Sequence, residues 1–217
     1  MSMKRIGLSG VIFFTIVSML QGCTIFGGGT AQPTQNYVLN SVYSDETQPK
    51  VVADLHDIGI LVGPVRMALY LDRSDIVIRD SQNQIRLAEF SQWAGPLQEN
   101  FSRVLAENLS VLLTTDRVGI FPGTRAMSFD FNVTVNVTRF DGMPGKQADL
   151  RARWAILDKT RKDMLFENHS VLSQSTENDS LEALIAAESR TPVSYTHLTL
   201  PTKITWGGGG GGGGGGG

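Results

Sequence analysis

Covalent chemistry in this chain of 217 residues would have to come from one cysteine, Cys23, and three histidines, His56, His169 and His197. Asp54-Leu55-His56-Asp57 is the nearest approach to a metal cluster, because residues two apart on a strand share a face. It lacks a third strong ligand at a recognisable spacing, and polar residues leading into a strand explain it equally well. His169 stands beside Glu167 in a strand-like run and reads as part of a solvated face. There is no nucleophile elbow, no phosphate-cradling glycine loop and no His-Glu zinc pattern. Gly27-Gly28-Gly29 follows no strand, so it is not a nucleotide loop. The residues therefore predict no catalytic, cofactor-binding or metal site, and a protein that is not an enzyme.

Cys23 points to a different chemistry. Lys4 and Arg5 precede an apolar run from Ile6 to Leu20, too short to span a membrane comfortably. The run ends in Leu20-Gln21-Gly22-Cys23, which resembles a bacterial lipobox, so residues 1–22 read as a lipoprotein signal peptide and Cys23 as the lipidated N-terminus. No second cysteine is present, so no internal disulfide can form despite export. Acylation of the thiol also closes thiol catalysis. Each buried methylene contributes about 0.8 kcal/mol, so several chains of the palmitate kind make an effectively permanent anchor. Thr24 after the cysteine, where an aspartate would signal retention, resembles the pattern sorted to the outer membrane, with the domain on its periplasmic face. Residues 23–36, Gly-, Thr-, Gln- and Pro-containing and without periodicity, form the tether.

Residues suited to recognition lie further on. Tyr70, Arg73, Arg79 and Trp93 are of the types that anchor protein interfaces, and they fall within one short stretch. They are the candidate partner interface. The alternative is that Arg73, Arg79 and Arg86 pair with Asp72, Asp75 and Asp80 while Trp93 covers the start of a helix. Six Asn-x-Ser/Thr matches (Asn100, Asn108, Asn132, Asn136, Asn168, Asn178) are incidental if the lipobox places the protein in a bacterium.

The elements that must position these residues are legible from periodicity. Tyr37 to Leu39 and Ile58 to Val62 look like strands, the second ended by Gly63-Pro64. Ile76 to Arg79 and Ile85 to Ala88 form a hairpin pattern. Pro96, at the first helical position, opens a helix to about Thr114, with Leu97, Phe101, Val104, Leu105, Leu109 and Leu112 as its apolar stripe. Val118 to Phe121 is a short strand. Phe129 to Thr138 alternates apolar and polar residues, which buries Phe131, Val133 and Val135 and exposes Asn132 and Thr134. Asp141 to Gly145 is read as a turn, Ala148 to Ile156 as the next strand and Met164 to Leu172 as another. A last helix spans Asp179 to Arg190, capped by Asn178 or Asp179. Together these give one α+β domain: a mainly antiparallel sheet packed by a long central helix and a C-terminal helix.

The order Tyr70-Leu71-Asp72-Arg73, Ile76-Val77, Arg79, Leu87-Ala88-Glu89, Trp93-Ala94, Pro96-Leu97 and Val104-Leu105-Ala106-Glu107-Asn108-Leu109 resembles the ABC-type transport auxiliary lipoprotein family, of the paraquat-inducible protein C type. The similarity thins out over Tyr37 to Arg190. Ala68 stands where the family usually carries proline. The resemblance implies a non-enzymatic accessory lipoprotein of an intermembrane lipid transport system, partnered by a mammalian-cell-entry-domain protein and docking its conduit at the outer membrane. Assembly into a homo-oligomeric ring is a further implication. A periplasmic lipid-binding module, or an outer-membrane assembly or cell-wall factor, are the alternatives.

The far end is of another kind. Val193 to Thr202 resembles a translated transposase sequencing adapter, and Gly207 to Gly217 is unbroken glycine. Residues 193–217 are therefore read as non-native, which leaves 37–192 as the domain, its C-terminal helix cut short. Without Lys4, Arg5 and Lys203, 16 of the 19 basic residues stand against 21 acidic ones, a net of about −5 with His neutral. No basic block is present, so nucleic acid is not an expected partner. The lipobox yields a direct test. Acyl-chain labelling should mark the wild type and be abolished in Cys23→Ala; equal labelling of both would overturn the lipoprotein reading.

Overall fold

The computed structural model describes residues 32–41, 56–122 and 128–199, with side chains as far as residue 192. The signal peptide, Cys23, Asp54, most of the tether and the tail from 200 lie outside the described residues. A compact unit begins at Thr34.

Strand β6 (Phe131–Met143) is the axis of the sheet, because both its edges are used. Along one edge it pairs antiparallel with β7 (Gln147–Asp158) from Phe131↔Asp158 to Met143↔Gln147. β7 in turn pairs antiparallel with β8 (Met164–Ser175). The other edge is shared. β2 (Ile60–Met67) runs parallel to the first half of β6, and β5 (Val118–Ile120) lies outside it. β3 (Asp75–Arg79) meets the second half at the single register pair Ile78↔Gly142, followed outward by β4 (Ile85–Trp93) and β1 (Gln35–Tyr37). The fold is α+β as the periodicity implies. The sheet is mixed: its long ladders are antiparallel, while the β1, β2, β3 and β5 attachments are parallel.

One face of this sheet is roofed by two helices. α1 (Leu97–Leu113) buries all six residues of its apolar stripe against β2, β5 and the second helix. Each large side chain so buried contributes about 1.5–3 kcal/mol. Pro96 is the N-cap rather than the first helical residue. The helix ends at Thr114 in the left-handed region (φ 52°), where Ser110 Oγ donates to Thr115 O at 2.7 Å. α2 (Leu181–Thr199) packs on β6, β7 and β8 through Leu184, Ile185 and Ala187. Gly142 makes this approach possible, since a Cβ there would lie 2.7 Å from Leu184 Cδ1 and 2.4 Å from Gln147 O. The cap of α2 is Ser180, whose Oγ accepts from Ala183 N at 3.1 Å; Asn178 supports it by accepting from Ser180 N at 2.8 Å. The backbone stays helical past Arg190 and Pro192 to Thr199, beyond the boundary expected from the pattern.

Three further expectations need correction. β2 does not stop at Gly63-Pro64 but runs through it, with its register to β6 shifted between Val62 and Val65. The second lies beside that irregularity: Asn132 is 3% exposed, and its Nδ2 donates to the carbonyls of Leu61 (3.0 Å) and Gly63 (2.6 Å). Val133 and Val135 are buried as expected, and Phe131 is half-buried. Third, Asp141-Gly142-Met143 is strand, not turn. β6 slips by one residue against β7 between Val137 and Arg139, a β-bulge that moves the apolar side from odd positions to Phe140.

Glu188 on α2 is 1% exposed, and its Oε2 has no partner. Burial first, and the charge of Asp141 second, push its carboxyl well above the ordinary carboxylate range. The folded protein therefore holds Glu188 protonated at a pH where the unfolded chain has already released the proton. Stability from this group is full below pH 4.5 and falls as pH rises toward the folded value. Glu188→Gln should thus raise the thermal midpoint at pH 7–8 and flatten its dependence on pH above about 4.5, as thermal melts across pH would show.

Candidate docking site

The sequence places four candidate residues within one stretch, and the structure separates their roles. Leu69–Leu71 form a single 3-10 turn between β2 and β3. Ala68, before it, has φ −59° and ψ 142°, the geometry a proline ring would fix, and its N–H donates to Val137 O at 2.9 Å. The turn projects Tyr70 toward β6, where its hydroxyl donates to Asp141 Oδ2 at 2.7 Å.

Asp141 is the hub of the site and has no solvent exposure. The β6 bulge puts it on the sheet face opposite the helices. Arg79 grips it with two bonds, Nε to Oδ1 at 2.6 Å and Nη2 to Oδ2 at 2.7 Å. Arg79 Nη1 also donates to Gln82 O at 3.0 Å, which ties down the β3–β4 turn. Arg139 adds a fourth bond to Asp141 (3.0 Å) and reaches Asp149 Oδ2 on β7 at 2.7 Å. Asp149 accepts further bonds from Gln147 and Ser173. Asp141 stands directly opposite Asp149 in the register, an arrangement tolerable only because Arg139 bridges the two.

The electrostatics follow from this geometry. Burial alone would raise the Asp141 carboxyl, but hydrogen bonds from Arg79 and Tyr70 and the charges of Arg139 and Arg79 outweigh it and hold it below its usual value. Burial, then the bond to Asp141 and its charge, push the Tyr70 hydroxyl up to about 12. The bond to Asp141 raises the Arg79 guanidinium further, so it stays charged at any working pH. The expected Arg79–aspartate pairing with Asp75 or Asp80 is therefore replaced by Asp141, a residue placed in a turn by pattern alone. Arg86 does pair with Asp80, at 3.0 Å.

Trp93 ends β4 and is 4% exposed, its backbone N–H donating to Ser74 O at 2.8 Å. Arg73 is the accessible member of the set. Among the described residues it has no ion pair. Arg73 and Trp93 meet at one concavity of about 410 Å³, also lined by Met67, Leu71, Gln92 and Gln98. It lies at the start of α1, where Pro96 supplies no side-chain cap. The site thus has an apolar floor, an exposed cation at its rim and a buried ionic cluster behind it. His56 is exposed at the approach to β2 and His169 lies on β8. No cluster of His, Cys, Asp or Glu able to hold a metal occurs among the described residues, and none of their helices is long and apolar enough to cross a membrane.

Residues 37–193 match the family described as "ABC-type transport auxiliary lipoprotein component". No curated protein sequence matches the chain at a significant level. Among solved structures, a protein described as uncharacterized is 17% identical, with TM-score 0.61 over 76% of this chain and 95% of its own. Protein XCC0632 from Xanthomonas campestris, of family DUF330, is 14% identical, with TM-score 0.60 over 76% and 90%. PelC from Paraburkholderia phytofirmans, solved as a dodecamer, reaches a TM-score of 0.35–0.36 at 11–13% identity, over 68% of this chain and 93% of its own.

The hub and the rim should respond differently to truncation. Asp141→Ala leaves Arg79 charged without its carboxylate and Arg139 with Asp149 alone, and should cost about 3–5 kcal/mol in denaturant unfolding. Because the folded Asp141 value is depressed, its contribution is present above pH 3.8 and lost as pH falls through the folded value; Asp141→Asn should remove that acid-side loss. Arg73→Ala should stay within about 0.5 kcal/mol.

Proposed function

The chain belongs to the ABC-type transport auxiliary lipoprotein family, and on that premise we propose that it is a non-enzymatic docking component. In this reading it is anchored by Cys23 to the periplasmic face of the outer membrane. There it receives the conduit of a mammalian-cell-entry-domain protein that carries lipid between membranes. The family places the chain with an ABC transport system in the cell envelope. The finer assignment of partner, membrane and cargo is the proposal.

The observation that carries it is the Arg73–Trp93 groove. A tryptophan and an exposed arginine with no ion pair among the described residues are side chains of the kind a protein interface uses as anchors. Tyr70 and Arg79 fix the segment that carries Arg73 without being free to touch a partner with their charged or polar ends. The docking contact is thus Arg73 with the exposed edge of the groove, while Trp93, Tyr70 and Arg79 give it a fixed shape.

A lipid-carrying module would need an apolar cavity between helices and sheet. Phe101, Val104, Leu105, Phe140 and Leu150 fill that layer at 0–2% exposure. Three concavities among the described residues, of about 410, 320 and 420 Å³, lie outside it and have polar residues in their walls. This favours action by contact over carriage of lipid.

The test is capture of a mammalian-cell-entry-domain protein, using folded Arg73→Ala and Tyr70→Phe variants. Arg73→Ala should weaken capture by about 1 kcal/mol or more if it is an anchor. Tyr70→Phe, which loses only the bond to Asp141, should bind nearly as the wild type. Undiminished capture by Arg73→Ala removes the groove from the interface.

A further inference from the structure

The sheet face turned away from the helices carries arginines that form no ion pair among the described residues. In the strand register Asn136 of β6 stands between Arg153 of β7 and Arg66 of β2, and Arg153 stands opposite His169 of β8. His169, Arg153, Asn136 and Arg66 thus form a row across four adjacent strands, about 14 Å long at the usual strand spacing. Arg151 lies two residues from Arg153 on the same face, about 7 Å along the strand. All five side chains are exposed.

These arginines differ from their neighbours. Arg79 and Arg139 are spent on Asp141 and Asp149, Arg86 on Asp80 and Arg103 on Glu107. Arg66, Arg151 and Arg153 have no ion pair among the described residues. Arg151 even stands directly opposite Arg139, a like-charge pairing that a sheet does not favour. Arg66 and Arg153 share a shallow concavity of about 320 Å³ with Thr134, Asn136 and Glu167, floored by Pro64 and Trp154. The arrangement is a cationic surface on a chain whose mature part is net acidic.

We propose that this face is a second docking surface, separate from the Arg73 groove, and that it binds a carboxylate-rich segment of a protein partner. Each guanidinium offers a planar fork that matches a carboxylate with two parallel bonds. Asn136, Thr134 and Thr138, set between the arginines, can bond the backbone amides of an extended segment. A membrane surface fits less well. Binding to headgroups needs apolar side chains that enter the acyl boundary beside the cations. Here the exposed apolar side chains beside the cations are few: Val171, opposite Arg151, and Met164, which lines the concavity with Arg66 and Arg153, both on the edge strand β8. The inference does not depend on the identity of the conduit protein and would survive failure of the Arg73 test.

The experiment uses the full chain in a nonionic detergent and a fluorescent poly-L-glutamate as probe, read by anisotropy at two salt concentrations. The combined variant Arg66→Ala/Arg151→Ala/Arg153→Ala should bind at least tenfold more weakly than wild type, and the wild-type affinity should fall with salt. Arg86→Ala, which removes an exposed but paired arginine, should bind as wild type. Thermal melts check the fold of each variant, and if the combined variant does not fold, the three single variants are compared instead, each expected to lose affinity. Equal binding by wild type and arginine variants, or equal loss in Arg86→Ala, overturns the proposal. So does the absence of probe binding combined with arginine-dependent capture on phosphatidylglycerol nanodiscs, which would assign the face to lipid.

Discussion

A carboxylate with no access to water is an expensive thing to bury, and Asp141 is tolerated only because Tyr70, Arg79 and Arg139 converge on it. The topology shows why the arrangement matters. β3 meets β6 at a single register pair, so little backbone hydrogen bonding joins the β3–β4–β1 part of the sheet to the rest. The bidentate bond from Arg79 crosses that seam. Arg139 carries the connection on to Asp149 of β7, and Ser173 carries it to β8. One line of side-chain bonds thus runs through four strands and the turn before β3, and it crosses the one seam, between β3 and β6, where the ladder has a single register pair.

That use of charge divides the surface. The helix side of the sheet is dry, filled by Phe101, Leu105, Phe140 and Leu150, with Phe101 and Phe140 edge-on at 5.6 Å between ring centres. The opposite side is polar and open away from the Asp141 cluster. Arginines that pair with buried acids set the shape; arginines left over, such as Arg73 at the groove and Arg66, Arg151 and Arg153 on the sheet, are the ones available to a partner. The chemistry of the surface follows from which carboxylates the fold has already claimed.

Much of this was legible in the residues. The stripe of α1 and the alternation through Val133, Val135 and Val137 depend on periodicity alone, and they stand in the structure where the pattern puts them. The hairpin of β3 and β4 is equally plain. What pattern could not reach were the places where long-range pairing overrides local preference. Asp141-Gly142 reads as a turn because both residue types favour turns. It is strand because β7 pairs along its whole length and Gly142 lets α2 come close. Asn132 reads as solvent-facing until β2 offers it two carbonyls. Gly63-Pro64 reads as a stop, yet the bulge accommodates it. The role of Arg79 was hidden for the same reason: its partner lies 62 residues away and was assigned to the wrong kind of element.

With the lipid on Cys23 that the lipobox implies, the modest size of the docking features becomes reasonable. A groove of about 410 Å³ with one exposed arginine at its rim offers few contacts compared with a standard protein interface. An anchored protein does not need many. On the proposed anchoring, with the short segment between Cys23 and the compact unit that begins at Thr34 acting as the tether, a partner reaching the same membrane would meet the domain at an effective concentration in the millimolar range. At that concentration each surface can be individually weak and still be occupied. Two weak surfaces, the Arg73 groove and the cationic sheet face, can then be engaged together when their spacing fits and released singly when it does not. A rigid scaffold is what such a scheme requires, because avidity is lost when geometry forbids simultaneous contact. The buried Asp141 cluster supplies that rigidity: it fixes the Arg73 segment to β6, the same strand whose Asn136 lies in the middle of the arginine row.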